Sequence, residues 1–311
     1  MEIALQLAKN IGGLFIILFV GFIFVKGKIL KPEDTKTVSK IVLYMAMPSS
    51  IITSFQVEYT SEKLADFGVA LLGGLLCQLI FMGIGWLMKR FGKFSDIECL
   101  SVAYPNVANL LIPIVTITMG QEWVIFTAAY CALQNIFSWT HQRMVLSGQK
   151  ATFKNVFGNI NIIAIIIGIL LFAFKIKLPE LIGNTLSMTA ATLGPLSMFV
   201  IGMSVAAVSL KEIFSHKRLY AVLLLRLIIC PIIMGLVFRF SGMVHMSPNA
   251  ETVVLISMLS AAAPVSALTS QIAQLYGNEP AYAGALNLST TLCCIVTMPL
   301  MAAFYQLLLM L

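Results

Sequence analysis

The sequence carries little charge for its length. Of its 311 residues only 11% are Asp, Glu, Lys or Arg, whereas 59% are hydrophobic and the mean hydropathy is +0.95. A soluble domain carries about 25% charged residues, because polar groups must cover its water-facing surface. This deficit excludes an ordinary soluble domain and predicts a chain that is embedded in a lipid bilayer.

Cysteines in metal-ligand spacing and acidic residues at the centres of long apolar segments are also missing. The six cysteines lie inside or at the edges of apolar segments, and we interpret them as packing residues. A membrane enzyme would need a nucleophile, a metal cluster or a pair of carboxylates at depth, and the sequence offers none of them. We therefore expect no metal, no cofactor and no enzymatic activity.

Charge of one sign is in excess, but it is not arranged as a nucleic acid would require. The net charge is +7, from 20 Lys and Arg against 13 Asp and Glu. The basic residues lie in short runs between apolar segments and form no single basic face. We therefore expect no nucleic-acid partner.

Long apolar segments are what the sequence has in abundance. About 20 mostly apolar residues are needed to span a bilayer as a helix, and the first segment is far longer than the apolar region of a signal peptide. The predicted spans are Ile3–Val25, Val38–Phe55, Leu64–Met88, Ile97–Thr118, Val124–Leu146, Val156–Phe174, Leu186–Val208, Leu219–Phe240, Thr252–Leu275 and Ala281–Leu311. We therefore predict an all-α membrane protein with ten transmembrane helices.

Lysine and arginine in the predicted loops indicate the orientation, because cytoplasmic loops carry an excess of them. The loops after spans one, three, five and seven carry fourteen of these residues, and the loops on the other side carry four. The four are Lys63, Lys175, Lys177 and Arg239. We therefore place the odd-numbered loops in the cytoplasm, and both termini on the outer side of the cytoplasmic membrane.

The two halves of the chain resemble each other at an offset of 147 residues, which becomes 157 in spans four and five. The aligned pairs are Gly21 with Gly168, Lys28 with Lys175, Pro32 with Pro179, Pro48 with Pro195, Gly120 with Gly277 and Glu122 with Glu279. Each half holds five spans, an odd number, so the halves must have opposite topology. We predict a 5+5 inverted repeat, with residues 1–154 as the first unit and 155–311 as the second.

Spans four and nine are predicted to be broken near the middle of the membrane. Pro105 and Pro264 lie at depths of about 12 and 18 Å, in a core about 30 Å thick. Proline removes a helical hydrogen bond, and the N-terminus of a half-helix offers free N–H groups and partial positive charge to an anion. Asn106, Asn109 and Ser266 are polar neighbours of these prolines. The alternative is a pair of ordinary kinks whose asparagines satisfy the backbone.

Further polar residues lie in the neighbouring spans. Gln134 and Asn135 in span five and Asn287 in span ten either line the same cavity or bond to neighbouring helices, and the sequence leaves both alternatives open. Together with Val265, beside Pro264, they complete the predicted substrate-binding set. Arg226 lies near the start of span eight, and we predict that it extends to the cytoplasmic headgroups. The alternative for Arg226 is a fixed positive charge that attracts an anion.

Three segments resemble the auxin efflux carrier family, which includes plant auxin carriers and bacterial malate or malonate permeases. They are the run from Pro105-Asn106 through Ile112-Pro113-Ile114 to Gly120, the run from Pro264 to Pro280, and Met298-Pro299-Leu300. The resemblance implies that spans four and nine cross at Pro105, Asn106 and Pro264, with the substrate beside the crossing. It also implies a scaffold of spans one, two, six and seven, a transport unit of the other spans, and a homodimer through the scaffold.

The sequence departs from the family pattern in two ways. Leu111 stands where a small residue commonly precedes Ile-Pro, and the halves are joined without the long central loop of the plant carriers. The resemblance therefore implies a compact, bacterial-type carrier and disfavours auxin as the substrate.

The predicted function is secondary transport of a small organic anion, such as a mono- or dicarboxylate, by alternating access of an elevator or rocking type. The substrate anion and the lipid bilayer are the predicted partners. The alternative is a membrane sensor or receptor that shares the fold and signals through a partner protein. A channel is disfavoured, because the polar residues cluster near the midplane and form no continuous pore.

Overall fold

The computed structural model describes residues 2–148, 158–207 and 216–310, and within these ranges the chain is almost entirely helical. Sixteen α-helices follow one another there, and these ranges contain no strand. The helices are α1 (Glu2–Lys26), α2 (Asp34–Ile41), α3 (Met47–Ser54), α4 (Ser61–Gly92), α5 (Asp96–Ala103), α6 (Ile112–Thr118), α7 (Val124–Phe137), α8 (Arg143–Ser147), α9 (Ile160–Ala173), α10 (Glu180–Ala191), α11 (Leu193–Ala206), α12 (Lys217–Leu224), α13 (Cys230–Phe240), α14 (Ala250–Ala261), α15 (Ala267–Tyr276) and α16 (Pro280–Met310).

Two predictions concern residues outside these ranges. The predicted boundary between units 1–154 and 155–311 lies there, and so do Lys150, Lys154 and Lys211 of the predicted cytoplasmic loops.

Short π-helical turns join several of these helices. A π-helical turn adds a residue to the helical repeat, and such turns occur frequently at functional sites. Within the described residues they are Val42–Ala46, Val107–Leu111, Ser138–Gln142 and Leu225–Ile229, and two 3-10 turns are Gln121–Trp123 and Met243–His245. The second turn follows Asn106, the third contains His141 and the fourth contains Arg226. Three of the four therefore lie at or beside the site described below.

The chain is a helical membrane protein. Four helices are individually long and apolar enough to cross a bilayer, namely Ser61–Gly92, Glu180–Ala206, Lys217–Phe240 and Pro280–Leu309. Shorter apolar helices accompany them, namely Gly12–Lys26, Val107–Thr118, Ile160–Ala173 and Ala250–Ala261. A helix of 12 residues is about 18 Å long, so such a piece crosses the bilayer only together with its neighbour in the chain. The count of ten spans stays a prediction.

Apolar side chains cover much of the outer surface, whereas polar ones lie inside. Large exposed hydrophobic residues include Phe19, Trp86, Leu170, Leu181 and Val296. Buried polar residues include Gln78, Ser101, Asn106, Gln134 and Arg226. Such a surface would be an aggregation hazard in water, but lipid covers it in a membrane, where the backbone must find its hydrogen bonds within the protein.

Helices α1 and α11 pack backbone against backbone at two glycines. A Cβ atom added at Gly202 would lie 1.8 Å from the carbonyl oxygen of Leu18, and one added at Gly21 would lie 2.3 Å from that of Phe199. Only glycine leaves room for such an approach. Small residues at helix contacts are typical of membrane proteins, because they allow close packing without a hydrophobic driving force.

Helix α14, the first half of predicted span nine, lies at the centre of the molecule. Every residue from Val253 to Ala261 is buried, and α14 packs against α4, α7, α13 and α16. Where α14 ends, the chain is therefore surrounded by protein and shielded from lipid. This is the environment in which non-helical backbone is tolerated at membrane depth.

Candidate functional site

The two broken helices meet at their breaks and pair through their backbones. Pro105 and Val265 form an isolated antiparallel bridge. The Asn106 N–H donates to the Pro264 carbonyl oxygen at 2.7 Å, and the Ser266 N–H donates to the Tyr104 carbonyl oxygen at 2.9 Å. The structure thus brings Pro105, Asn106, Pro264, Val265 and Ser266 together at one point, hereafter the crossing.

Two side-chain amides bond to the residues of the bridge. The Gln134 side-chain amide on α7 donates to the Pro105 carbonyl oxygen, and the Asn287 amide on α16 donates to the Val265 carbonyl oxygen at 2.6 Å. The Val265 N–H donates in turn to the Thr290 hydroxyl at 3.0 Å. The sequence left open whether these amides line a cavity or bond to neighbouring helices. Gln134 and Asn287 bond to neighbouring helices, and they do so at the crossing itself.

Asn135 does not join the crossing. Its side-chain amide donates to the Cys131 carbonyl oxygen at 2.9 Å, one turn back in its own helix. The residue is buried, but its described hydrogen bond serves α7 alone. Although Gln134 and Asn135 are adjacent in the sequence, a helical step of about 100° gives them different surroundings.

Arg226 is fully buried beside the crossing, so the prediction that it extends to the headgroups is wrong. Its guanidinium donates to three main-chain carbonyl oxygens: Nε to Ala263 at 3.0 Å, Nη1 to Val102 at 2.8 Å, and Nη2 to Ala261. Val102 is near the end of α5 and Ala261 is the last residue of α14. The C-terminal ends of the first halves of both broken helices are therefore bonded to the same side chain, that of Arg226.

Helix α4 completes the surroundings of these helix ends. The Phe81 ring lies under the guanidinium, with its centroid 4.6 Å from the Arg226 Cζ, and this geometry is a cation–π contact. One turn earlier, the Gln78 side-chain amide donates to the Ala103 carbonyl oxygen at 3.3 Å. The carbonyl groups that the breaks release are thus satisfied by side chains, as a buried backbone requires.

The second halves of the broken helices begin at the crossing with different caps. The Ser266 hydroxyl accepts a hydrogen bond from the Leu268 N–H at 3.2 Å and so caps α15. Asn106 holds the corresponding position before Val107, but its side chain makes no capping bond. It is only 3% exposed, and within the described ranges its amide has no hydrogen-bond partner. Asn109, about one turn further on, is half-buried.

A tyrosine connects the crossing to a histidine that sequence reasoning did not assign to the site. The main-chain carbonyl oxygen of Tyr104 belongs to the crossing, and the phenol oxygen of the same residue lies 2.9 Å from Nδ1 of His141. The same phenol donates to the Phe137 carbonyl oxygen at 3.2 Å. His141 is located in a π-helical turn, a feature that the sequence alone does not reveal.

The buried acidic residues of the described ranges bond elsewhere. Asp66 accepts two hydrogen bonds from Asn249, at 2.8 and 3.2 Å, at the start of α14. Glu98 accepts from Tyr282 at 3.0 Å and forms a capping box with Ser95 at the start of α5. Both carboxylates therefore fix the far ends of the broken helices, and no acidic side chain of the described ranges bonds to the crossing.

Two comparisons with known proteins bear on this arrangement. A family model described as membrane transport protein matches residues 8–155 and again residues 140–302. An uncharacterised transporter of Methanocaldococcus jannaschii is 26% identical over 210 residues, which are 63% of this chain and 68% of the relative. Since the family model matches nearly the whole chain, the resemblance is confirmed, and the chain belongs to the membrane transport protein family, the family of the auxin efflux carriers.

Proposed function

We propose that this transporter moves a small organic anion, such as a mono- or dicarboxylate, across the cytoplasmic membrane by alternating access. The observation that carries the proposal is the crossing at Pro105 and Val265, to which no acidic side chain of the described ranges bonds. Discontinuous helices that meet at the midplane are the usual substrate site of secondary transporters.

The electrostatics of the crossing favour a negative ligand. The helical stretch Val107–Thr118 and helix α15 both begin there, and a helix N-terminus carries about half a positive charge on its free N–H groups. Carboxylates bind readily to such ends. Because Ser266 already caps α15, the unpaired amide of Asn106 is the group best placed to donate to a carboxylate.

The proposed substrate contacts are divided between direct and supporting residues. Asn106, Asn109 and Ser266 line the site with the backbone of Pro105, Pro264 and Val265. Gln134 and Asn287 support the site by fixing the bridge carbonyl groups. Asn135 is retained in the proposed site only because it is adjacent to Gln134 in the sequence, since its amide bonds within α7.

We further propose ten spans in a 5+5 inverted repeat. The proposal is supported by the equivalence of the two breaks. The carbonyl group of each bridge residue accepts a hydrogen bond from a side-chain amide of the next predicted span, from Gln134 in span five and from Asn287 in span ten. With five spans in each half, both termini face the outside, and the scaffold helices are available for a homodimer.

Uptake by reconstituted protein tests the proposal. Proteoliposomes with the purified protein are given a panel of labelled mono- and dicarboxylates, and the Asn106→Ala variant is compared with the wild type. We expect uptake by the variant to be at least about tenfold lower than uptake by the wild type, because one charge-assisted hydrogen bond contributes about 1.5–3 kcal/mol. Asn184→Ala, a change at an exposed residue of α10, is the matched control and is expected to transport normally.

Two results would count against the proposal in different ways. If the wild type takes up no member of a broad panel of organic acids, the transported class is wrong. If uptake is measurable but Asn106→Ala matches Asn184→Ala, the carrier stands and the substrate does not bind at Asn106.

A further inference from the structure

We infer that Arg226 sets the charge of the substrate, so that the crossing accepts one net negative charge and the carrier moves monovalent organic anions. A dicarboxylic acid would then be transported in its singly protonated form. This inference rests on the proposed function and names the ionic form that the proposed site takes.

Arg226 is a permanent cation without an acidic counterion in the described ranges. Its side chain is fully buried, each of its three nitrogens donates to a main-chain carbonyl oxygen, and its Cζ lies 4.6 Å from the centroid of the Phe81 ring. The arginine guanidinium does not lose its proton in proteins. The positive charge therefore stays in the protein at any physiological pH.

The carbonyl groups around Arg226 supply the first part of a charge balance. They belong to the C-terminal ends of α5 and α14, and each such end carries about half a negative charge. Two ends together carry about −1, and the guanidinium that binds both of them neutralises this charge. Without Arg226, the negative ends of the first half-helices would cancel the positive ends of the second half-helices.

The remaining charge at the crossing comes from the second half-helices. The stretch that begins at Val107 and the helix that begins at Ala267 contribute about +0.5 each. The amide of Asn106, a residue that is 3% exposed, has no hydrogen-bond partner among the described residues. The sum is about +1, which matches one carboxylate. A second carboxylate of the same ligand would find no charge to balance it, and an unbalanced charge in a low-dielectric site is strongly disfavoured.

A purely structural role is the competing explanation, in which Arg226 only fastens the two helix ends. The two explanations differ in what replacements do to selectivity. Arg226→Lys keeps the charge but loses the planar fork that reaches three carbonyl groups, whereas Arg226→Gln keeps two amide donors and loses the charge. A structural role alone lowers uptake of every substrate in both variants and leaves the preference among substrates unchanged.

The first experiment uses the wild-type protein in proteoliposomes and needs no variant. Uptake of a dicarboxylate at constant total concentration is measured in steps of pH above its second pKa, with a monocarboxylate of similar size as the control. We expect dicarboxylate uptake to fall about tenfold per pH unit, because the singly protonated fraction falls tenfold per unit, while monocarboxylate uptake stays constant. Dicarboxylate uptake that stays constant as the pH rises through this range would show that the dianion is transported as well as the monoanion, and would overturn the inference.

The second experiment compares variants by the ratio of monocarboxylate uptake to uptake of its uncharged amide analogue. We expect Arg226→Lys to keep the wild-type ratio and Arg226→Gln to lower it at least about tenfold, since tenfold corresponds to about 1.4 kcal/mol of lost charge interaction. An unchanged ratio in Arg226→Gln assigns Arg226 a structural role only and overturns the inference. If the wild type transports no organic anion at all, the proposed function fails as well, and this outcome is distinct from a failure of charge selection.

Discussion

Single side chains satisfy the backbone where the two central helices break. Pro105 and Pro264 interrupt the helical ladder at membrane depth, where no water is available for the released groups. Gln134, Asn287 and Arg226 take over these groups, and each of them bonds to main-chain carbonyl oxygen instead of to another side chain. The irregular backbone of the crossing therefore depends on a few long polar side chains from neighbouring helices.

The two bridge amides should each be needed for stability. We expect Gln134→Ala and Asn287→Ala to lower the free energy of unfolding by about 1–3 kcal/mol each, because each leaves a buried carbonyl group unpaired. Denaturant unfolding of the purified protein in mixed micelles measures the effect, with the exposed Asn184→Ala as reference. If either variant unfolds within about 0.5 kcal/mol of the reference, as surface changes do, its amide does not stabilise the crossing.

Sequence reasoning at this scale identified the polar residues but not their partners. Asn106, Gln134 and Asn287 stand out because amides are costly in an apolar span. Arg226 stood near the start of its span, where extension to the headgroups is common for arginine. Its true partners, Val102, Ala261 and Ala263, lie more than 30 residues away in either direction, as the hydrogen-bond separations of 124, 35 and 37 residues show.

Helix elements are positioned by close contacts as well as by polar caps. The capping box at Ser95 begins α5, and Asp66 binds Asn249 at the start of α14, so both broken helices are fixed at the ends far from the crossing. Helices α1 and α11 are in direct backbone contact at Gly21 and Gly202. The pairing of α1 with α11 is the kind of contact that a rigid scaffold requires.

A methyl group at the α1–α11 contact should separate the two helices. We expect Gly202→Ala to destabilise the protein by about 1–3 kcal/mol, because the added Cβ would lie 1.8 Å from the Leu18 carbonyl oxygen and the backbones must move apart. Thermal unfolding in detergent measures the change. Gly183→Ala in α10 is the control, since nothing lies within 4 Å of the added Cβ, and it is expected to be neutral or slightly stabilising.

A destabilisation of Gly202→Ala no larger than that of Gly183→Ala would mean that α1 and α11 are not in direct backbone contact. The sequence contains the glycines but does not indicate which of them lie against a neighbouring helix. Gly202 lies in the predicted span Leu186–Val208 and Gly183 lies three residues before it. Only the packing distinguishes the open position from the closed one.

The whole molecule carries its charge asymmetrically. Fourteen basic residues of the predicted loops lie on one side of the ten-span arrangement and four on the other. Since basic loops are retained in the cytoplasm, this asymmetry predicts the orientation of the entire chain, with both termini outside. The prediction follows from the sequence and from an even number of spans.

Cysteine labelling in intact cells tests this orientation. We expect Lys177→Cys to react with a membrane-impermeant maleimide from outside, and Arg90→Cys to react only after the membrane is permeabilised. Both positions are exposed, and most of the native cysteines are buried, so a wild-type control sets the background. The reverse pattern would invert the topology, and labelling of both residues from outside would contradict the number of spans between them.

The sequence by itself determined that the chain lies in a lipid bilayer, that it is helical, and where two of its helices break. Hydropathy and charge are summed along the chain, and proline acts on its own backbone, so these properties are local and readable without a fold. The tertiary structure decided that the breaks meet as a bridge, that Gln134 and Asn287 fasten it, and that Arg226 points inward. These contacts join residues that are distant in the chain, and the direction in which a side chain points depends on helix packing that no single span encodes.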